Sequence, residues 1–356
     1  MQKLTAAILF GSVSSEYEVS LRSAVSVLTH IPREKYDVVM VGITKDGRWY
    51  HYEGGLEAIQ ADRWLQEGPV TPAILSPDRS AGGLTRFTPQ GPQNLHIDVV
   101  FPVLHGERGE DGTIQGLLEM AGLPYVGCGV LSSAACMDKQ VTHLLLEAAG
   151  IATAPYRALI RSQLAELDRL EPQLAAELGY PMFVKPANTG SSVGVSKVKS
   201  AGELRPALEK AFAYDRKVLV ERAIVGHEVE CAVLGNYEDA IAATVGEIVP
   251  HHEFYDYEGK YLDDSTDLYI PARLPEETIQ LVRRTAVKAF AAMECTGLAR
   301  VDFFVQADGS VLINELNTIP GFTSISMYPK LFEAAGLPYP QLIDRLLTLA
   351  LERRAR

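Results

Sequence analysis

Cysteine is scarce in this chain. There are four in 356 residues, Cys128, Cys136, Cys231 and Cys295, and no two form a CxxC pair. That scatter excludes a zinc-ribbon spacing and a disulfide framework, and it fits reduced thiols in a cytosolic protein. No stretch approaches the roughly 18 apolar residues of a membrane span. The opening MQKLTAAILFGSVSS has only a short apolar run with acidic residues close behind, so it reads as a buried first strand and not as a signal peptide. Positive charge is also in deficit: 33 Lys and Arg against 45 Asp and Glu give a net charge of −12. Such a chain lacks the electrostatic footprint of a nucleic-acid binder, and any anionic ligand must be held by local lysines, arginines and backbone N–H groups. Two common phosphate-binding patterns are missing as well: GxxxxGK[ST] occurs nowhere, and no GxGxxG follows the first strand. There is no internal repeat and no low-complexity segment.

What remains is an ordinary globular composition, 47% hydrophobic and 22% charged, in a chain long enough for two or three domains. Residues 4–10 read as a strand, 18–30 as a helix, and 36–43 and 97–104 as strands. This alternation predicts an α/β unit with a parallel sheet wrapped by helices. Residues 65–95, rich in Pro, Gly and Ser, read as loops or short edge strands. A helix over 132–149 is stopped by Gly150. Strands at 181–185 and 217–221 flank a helix at 201–212. The last third carries strands, a helix over 276–293, a hairpin and two closing helices. Boundaries near 127 and 222 divide the chain into 1–126, 127–221 and 222–356.

The hairpin ARVDFFVQADGSVLINELN carries the sharpest chemical signal. Asp308-Gly309 is a strong turn signal between two apolar runs. If those two residues form the turn, Asp302 faces Glu315 and Arg300 faces Asn317, and all four side chains share one face. Carboxylates placed opposite each other repel, so a cation is expected between them. Two carboxylates and an amide oxygen suit Mg²⁺, which completes its shell with phosphate oxygens and water. The plain alternative is a solvated face with surface ion pairs.

Other segments gain meaning from this one. Lys185 ends an apolar strand and needs an anionic partner. The loop Thr189-Gly190-Ser191-Ser192-Val193-Gly194 can wrap phosphate oxygens, although a Gly/Ser loop alone is often a connector. Gly321, after Ile319-Pro320, can bring its N–H close to a ligand, and beside Arg300 it can face a developing oxyanion. His105 and Glu16 each follow a strand end, where open α/β sheets bind ligands. Residues 253–262, EFYDYEGKYL, resemble a loop able to fold over a site.

Together these segments resemble the D-alanine–D-alanine ligases of the ATP-grasp superfamily. The likeness rests on the Glu16 segment, HGERGEDGT, VKPANTGSSVGVSKV, EFYDYEGKY, ARVDFFV and NELNTIPGFTSISMYPKL, in that order, and spans nearly the whole chain. It implies a three-domain ATP-grasp architecture, α+β in its ATP-grasp part, with an N-terminal parallel-sheet domain. It implies a cytoplasmic homodimer that uses ATP and two Mg²⁺, with Mn²⁺ an alternative, on D-alanine, without nucleic-acid or membrane partners. By the same resemblance, Lys139 and Lys185 hold ATP phosphates with Ser192 in the same site. Glu221 reads the adenine beside Ile224, and Glu228 the ribose. Asp302, Glu315 and Asn317 bind the metals. Glu16 takes the ammonium group of the first D-alanine, in a network with Ser191 and Tyr261. Arg300 and the Gly321 N–H face the oxyanion. His105, Ser326 and Met327 bind substrate, and Lys260 reaches the transferred phosphoryl group. One departure is Gly11-Ser12, where the family commonly has Gly-Gly. The alternatives are a D-alanyl-D-serine or D-alanyl-D-lactate ligase, a ligase of another carboxylate and amine, and a non-catalytic nucleotide-binding module.

Overall fold

A computed structural model describes residues 2–250, 266–323 and 325–355. Lys260 and Tyr261, with the whole of the expected closing loop at 253–262, lie outside the described residues. Three sheets organise the chain. In the first, β1 (Leu4–Gly11) is an apolar run with six of its eight residues buried. It pairs in parallel with β2 (Tyr36–Ile43) on one side and β7 (Val99–Pro102) on the other. The crossover between β1 and β2 is α1 (Tyr17–His30).

The parallel arrangement stops there. β3 (Trp49–Tyr52), β4 (Val70–Leu75), β5 (Gly83–Thr88) and β6 (Gly91–His96) continue the sheet in antiparallel fashion, in the order β6-β5-β4-β3-β2-β1-β7. The expectation of a parallel sheet therefore holds only for β2, β1 and β7, at one end of the sheet. The turns 44–48 and 89–90 are too short for a parallel crossover, so the strands they join must run antiparallel. Much of the stretch expected as loops or short edge strands forms three of these strands. Two short helices, α2 (Leu56–Gln60) and α3 (Trp64–Glu67), lie in the β3–β4 connection. There Trp64 packs edge-on against Phe10 of β1. After β7 comes α4 (Thr113–Ala121).

The helix expected over 132–149 is two helices, α5 (Val130–Met137) and α6 (Lys139–Ala148). Asp138 makes the break. Its backbone is extended, and its carboxylate accepts the Val141 N–H at 3.1 Å, which caps α6. A second, antiparallel sheet follows in the order β10-β9-β11-β8, from β8 (Tyr156–Ile160), β9 (Met182–Pro186), β10 (Ser196–Val198) and β11 (Lys217–Arg222). α7 (Leu167–Leu178) and α8 (Ala201–Phe212) close its core through Leu174, Leu178, Leu204 and Leu208.

The third sheet runs β14-β13-β12-β15-β16, from β12 (His227–Asn236), β13 (Ile241–Pro250), β14 (Thr266–Tyr269), β15 (Thr296–Val305) and β16 (Val311–Asn317). Its two faces separate by strand alternation. Val229, Cys231, Val233 and Val301 pack with α9 (Glu276–Ala292). Ala232, Leu234 and Leu298 pack with α10 (Met327–Ala334) and α11 (Tyr339–Ala355). α11 also touches β7 and α1, which ties the ends of the chain together. All four cysteines are buried and free.

Candidate active site

The β15–β16 hairpin brings together the four residues singled out by its sequence. Arg300 pairs with Asn317 and Asp302 with Glu315. The route to that pairing differs from the simple two-residue turn. Near the turn the register runs one residue short, with Val305 opposite Val311 and Phe303 opposite Ile313. Gly309, in left-handed backbone at φ 82°, donates to Gln306 O at 2.9 Å and widens the turn. A bulge at Asn314 then adds one residue to β16, and the pairing returns to the expected register from Asp302 outward. The two shifts cancel. Sequence reasoning missed the bulge, and with it Asn314, whose Oδ1 accepts from Lys185 Nζ at 3.1 Å.

On this face the guanidinium of Arg300 makes two bonds of 2.7 Å to Asp302, and its Nε lies 3.1 Å from Glu230 Oε2. Burial opposes the charge on Arg300, but Asp302 and Glu230 outweigh it, so the side chain stays protonated. Asn317 Nδ2 donates to Asp302 at 3.0 Å, which leaves Oδ1 as its ligating atom. Glu230 faces Asp302 from β12, so three carboxylates lie in a row across β12, β15 and β16. Glu230 was not anticipated. The signal was present in HEVECAVLGN, where alternation puts Glu228 and Glu230 on one face of an apolar strand. Among the described residues no three His, Cys, Asp or Glu side chains form a metal-holding group by themselves. The donor set here is two carboxylates and an amide, which fits a hard cation that also draws on phosphate oxygens.

A cavity of about 230 Å³ opens beside this row, between the second and third sheets. Its lining includes Lys139, Lys185, Ser192, Ile224, Glu228 and Glu315. Lys185 lies 2.5 Å from Glu221 Oε2. Burial would push the Glu221 acid up, but Lys185 and then His143 pull it down to about 2. Burial likewise works against the Lys185 charge, and Glu221 raises its pKa above the ordinary lysine value. His143, from α6, stacks on Tyr156 and lies 3.3 Å from Glu221 Oε1. That oxygen is buried beside His143, and Glu221 stands behind the cavity wall and does not line it. Lys139 opens α6, donates to Thr189 O at 2.8 Å and stands 4.0 Å from Glu315. Ser191 and Ser192 both hold left-handed backbone, at φ 49° and 58°. Consecutive non-glycine residues in that region are strained, which is common where a loop is shaped around a ligand.

The far wall comes from the first sheet. Ser191 Oγ donates to Glu16 Oε1 across 175 residues of chain. Glycines make room for that carboxylate: a Cβ on Gly190 would lie 2.6 Å, and one on Gly106 2.4 Å, from Glu16 Oε2. His105 is buried with both ring nitrogens engaged inside the protein. Nδ1 lies 2.9 Å from Ile319 O, and Nε2 lies 2.9 Å from Ser23 Oγ. At Gly321 a Cβ would come within 2.8 Å of Ser326 Oγ, which itself accepts the Thr323 N–H at 3.0 Å. Ser326 and Met327 stand at the N-terminus of α10, where backbone N–H groups favour an anion.

Comparison with known proteins agrees with this geometry. Residues 5–128 match the D-ala D-ala ligase N-terminus family, and residues 145–348 match the D-ala D-ala ligase C-terminus family. A D-alanine–D-alanine ligase of Acetivibrio thermocellus is 51% identical, over 97% of this chain and 95% of the relative. Among solved structures, the VanG D-Ala:D-Ser ligase from Enterococcus faecalis is 42% identical with a TM-score of 0.89, over 98% of this chain and all of that one. The D-alanine-D-alanine ligase from Coxiella burnetii is 37% identical with a TM-score of 0.87, over all of this chain and 96% of that one.

Proposed function

The chain belongs to the D-alanine–D-alanine ligase family, and on that premise we propose that it joins two D-alanines at the expense of ATP. The observation that carries the reading is the convergence of the Lys185–Glu221 pair, the Arg300–Asp302–Glu315 row and Glu16–Ser191 on one cleft. The three segments divide the work: 1–126 brings Glu16, 127–221 brings the lysines and the Ser191 loop, and 222–356 brings the hairpin.

ATP lies in the 230 Å³ cavity. By the resemblance, Glu221 reads the adenine beside Ile224, and Glu228 takes the ribose. Lys139, Lys185 and Ser192 hold the phosphates. Asp302, Glu315 and Asn317 would hold two Mg²⁺, which neutralise phosphate charge and align the oxygens for in-line transfer. The carboxylate of the first D-alanine, its ammonium group on Glu16, attacks the γ-phosphorus. ADP leaves and an acyl phosphate remains. The amine of the second D-alanine, its carboxylate at Ser326 and Met327, attacks the acyl carbon. The oxyanion that forms faces Arg300 and the Gly321 N–H, and phosphate departs. Positioning and charge carry this chemistry, with no covalent nucleophile needed. Lys260 and Tyr261 join the proposal on the resemblance alone, as do the cytoplasmic location and the homodimer.

The test supplies ATP, Mg²⁺ and D-alanine, with D-serine or D-lactate as competing second substrate, and identifies products by mass. D-Alanyl-D-alanine with stoichiometric phosphate is expected. Preferential D-alanyl-D-serine would move this chain to the activity named for its Enterococcus neighbour. Absence of any dipeptide would overturn the ligase reading. Sedimentation tests the dimer.

A further inference from the structure

We propose that Ser23 is a positioning residue for acyl transfer, which aims the Gly321 N–H through the bonds it shares with His105 and Phe322. The proposal rests on the ligase reading above. Ser23 lies on α1, 0% exposed, and is far in sequence from every residue that meets substrate in that reading except Glu16. Its Oγ accepts the Phe322 N–H at 3.2 Å and lies 2.9 Å from His105 Nε2. His105 Nδ1 in turn lies 2.9 Å from Ile319 O.

The directions of these bonds follow from what each atom can do. A carbonyl oxygen only accepts, so Nδ1 carries the proton. A backbone N–H only donates, so Ser23 Oγ is the acceptor towards Phe322. Burial lowers the His105 pKa, but Glu110, 3.9 Å from Nδ1, and Glu16 raise it above the ordinary histidine value. In the protonated ring Nε2 donates to Ser23 Oγ, and in the neutral ring it accepts from the Ser23 hydroxyl, so the contact holds in either state. The result is a clamp. The segment 319–322 is held at its first carbonyl by His105 and at its last N–H by Ser23, with Pro320 and Gly321 between. The same helix face grips the segment a second time: Ser26 Oγ lies 3.1 Å from the Tyr339 hydroxyl, which donates to Phe322 O at 2.6 Å. His105 thus supports the oxyanion turn from behind through its two bonded nitrogens.

The expected effect lies in the transition state, because an N–H aimed wrongly still lets substrates bind. Loss of one oxyanion donor costs about 10²–10³ in turnover, and misalignment should cost a part of that. Ser23→Ala should lower kcat about 10- to 100-fold and leave the KM for ATP within about twofold. It should weaken inhibition by a phosphinate dipeptide analogue, which copies the tetrahedral centre, by a similar factor. Ser23→Cys keeps the volume with a poor acceptor and should behave like the alanine variant if that one folds badly. Wild-type turnover and phosphinate inhibition in a folded Ser23→Cys protein would overturn the clamp. So would a loss of kcat without loss of phosphinate affinity, or a general rise in KM values. Failure of the parent protein to make dipeptide would instead remove the ligase reading itself.

Discussion

Replacing Lys185 with methionine is expected to destabilise the unliganded protein by about 3–5 kcal/mol, because it leaves the buried Glu221 carboxylate with only His143, 3.3 Å away, beside it. The Glu221 side chain is 4% exposed and its Oε2 lies 2.5 Å from the lysine, so water cannot replace the lost partner in place. A second route gives a similar size. Burial would raise the Glu221 pKa, but Lys185 and His143 hold it at about 2 against an ordinary 4.5. At roughly 1.4 kcal/mol per pH unit, that difference contributes about 3 kcal/mol at neutral pH. The folded value is below the unfolded one, so this stability is complete above pH 4.5 and is lost as pH falls towards 2. Urea unfolding followed by circular dichroism, near pH 7 and again near pH 4, checks both statements. The gap between parent and variant should narrow at the lower pH, where the stranded carboxylate is protonated. Adding Glu221→Leu should restore most of the lost stability, since an apolar pair can replace a buried ion pair at little cost. A single variant within about 1 kcal/mol of the parent, or a double variant no better than the single, would refute the reasoning, since stranding a buried charge costs several times more.

Three further outcomes follow from the site. Arg300→Ala should lower kcat by about 10²–10³, or 2.7–4 kcal/mol of barrier. It also leaves Glu230 and Asp302 facing each other without their cation, so Mg²⁺ should raise the melting temperature of this variant more than that of the parent. Gly321→Ala puts a methyl 2.8 Å from Ser326 Oγ and should cost up to about 10²-fold in turnover by displacing the oxyanion turn, with little change in melting temperature. Asp138→Ala removes the α6 cap and the 2.6 Å pair with Lys217. It should cost about 1–2 kcal/mol in thermal unfolding and raise the KM for ATP, because Lys139 opens that helix.

Much of this protein is legible in local pattern. The apolar run of β1, the hairpin around Asp308-Gly309 and the helix stop at Gly150 follow from periodicity and turn chemistry, which act over a few residues. The pairs Arg300–Asn317 and Asp302–Glu315 match the register read from the turn only because the wider turn and the bulge offset each other. The family itself was readable from the order of its short segments. Other features had no local signature. The wider turn and the compensating bulge at Asn314 are not visible in the pattern of the two strands. The first sheet took four antiparallel strands because the connections at 44–48 and 89–90 are short and the strand edge was open, and composition alone cannot weigh that. Glu230 joined the site because β12 lies beside β15, across about 70 residues of chain. Ser23 reaches Phe322 across 299 residues. Local sequence determined which elements form and which faces they bury. Only tertiary packing decided which buried polar groups meet, because each such group must find a partner wherever the fold brings one within about 3 Å.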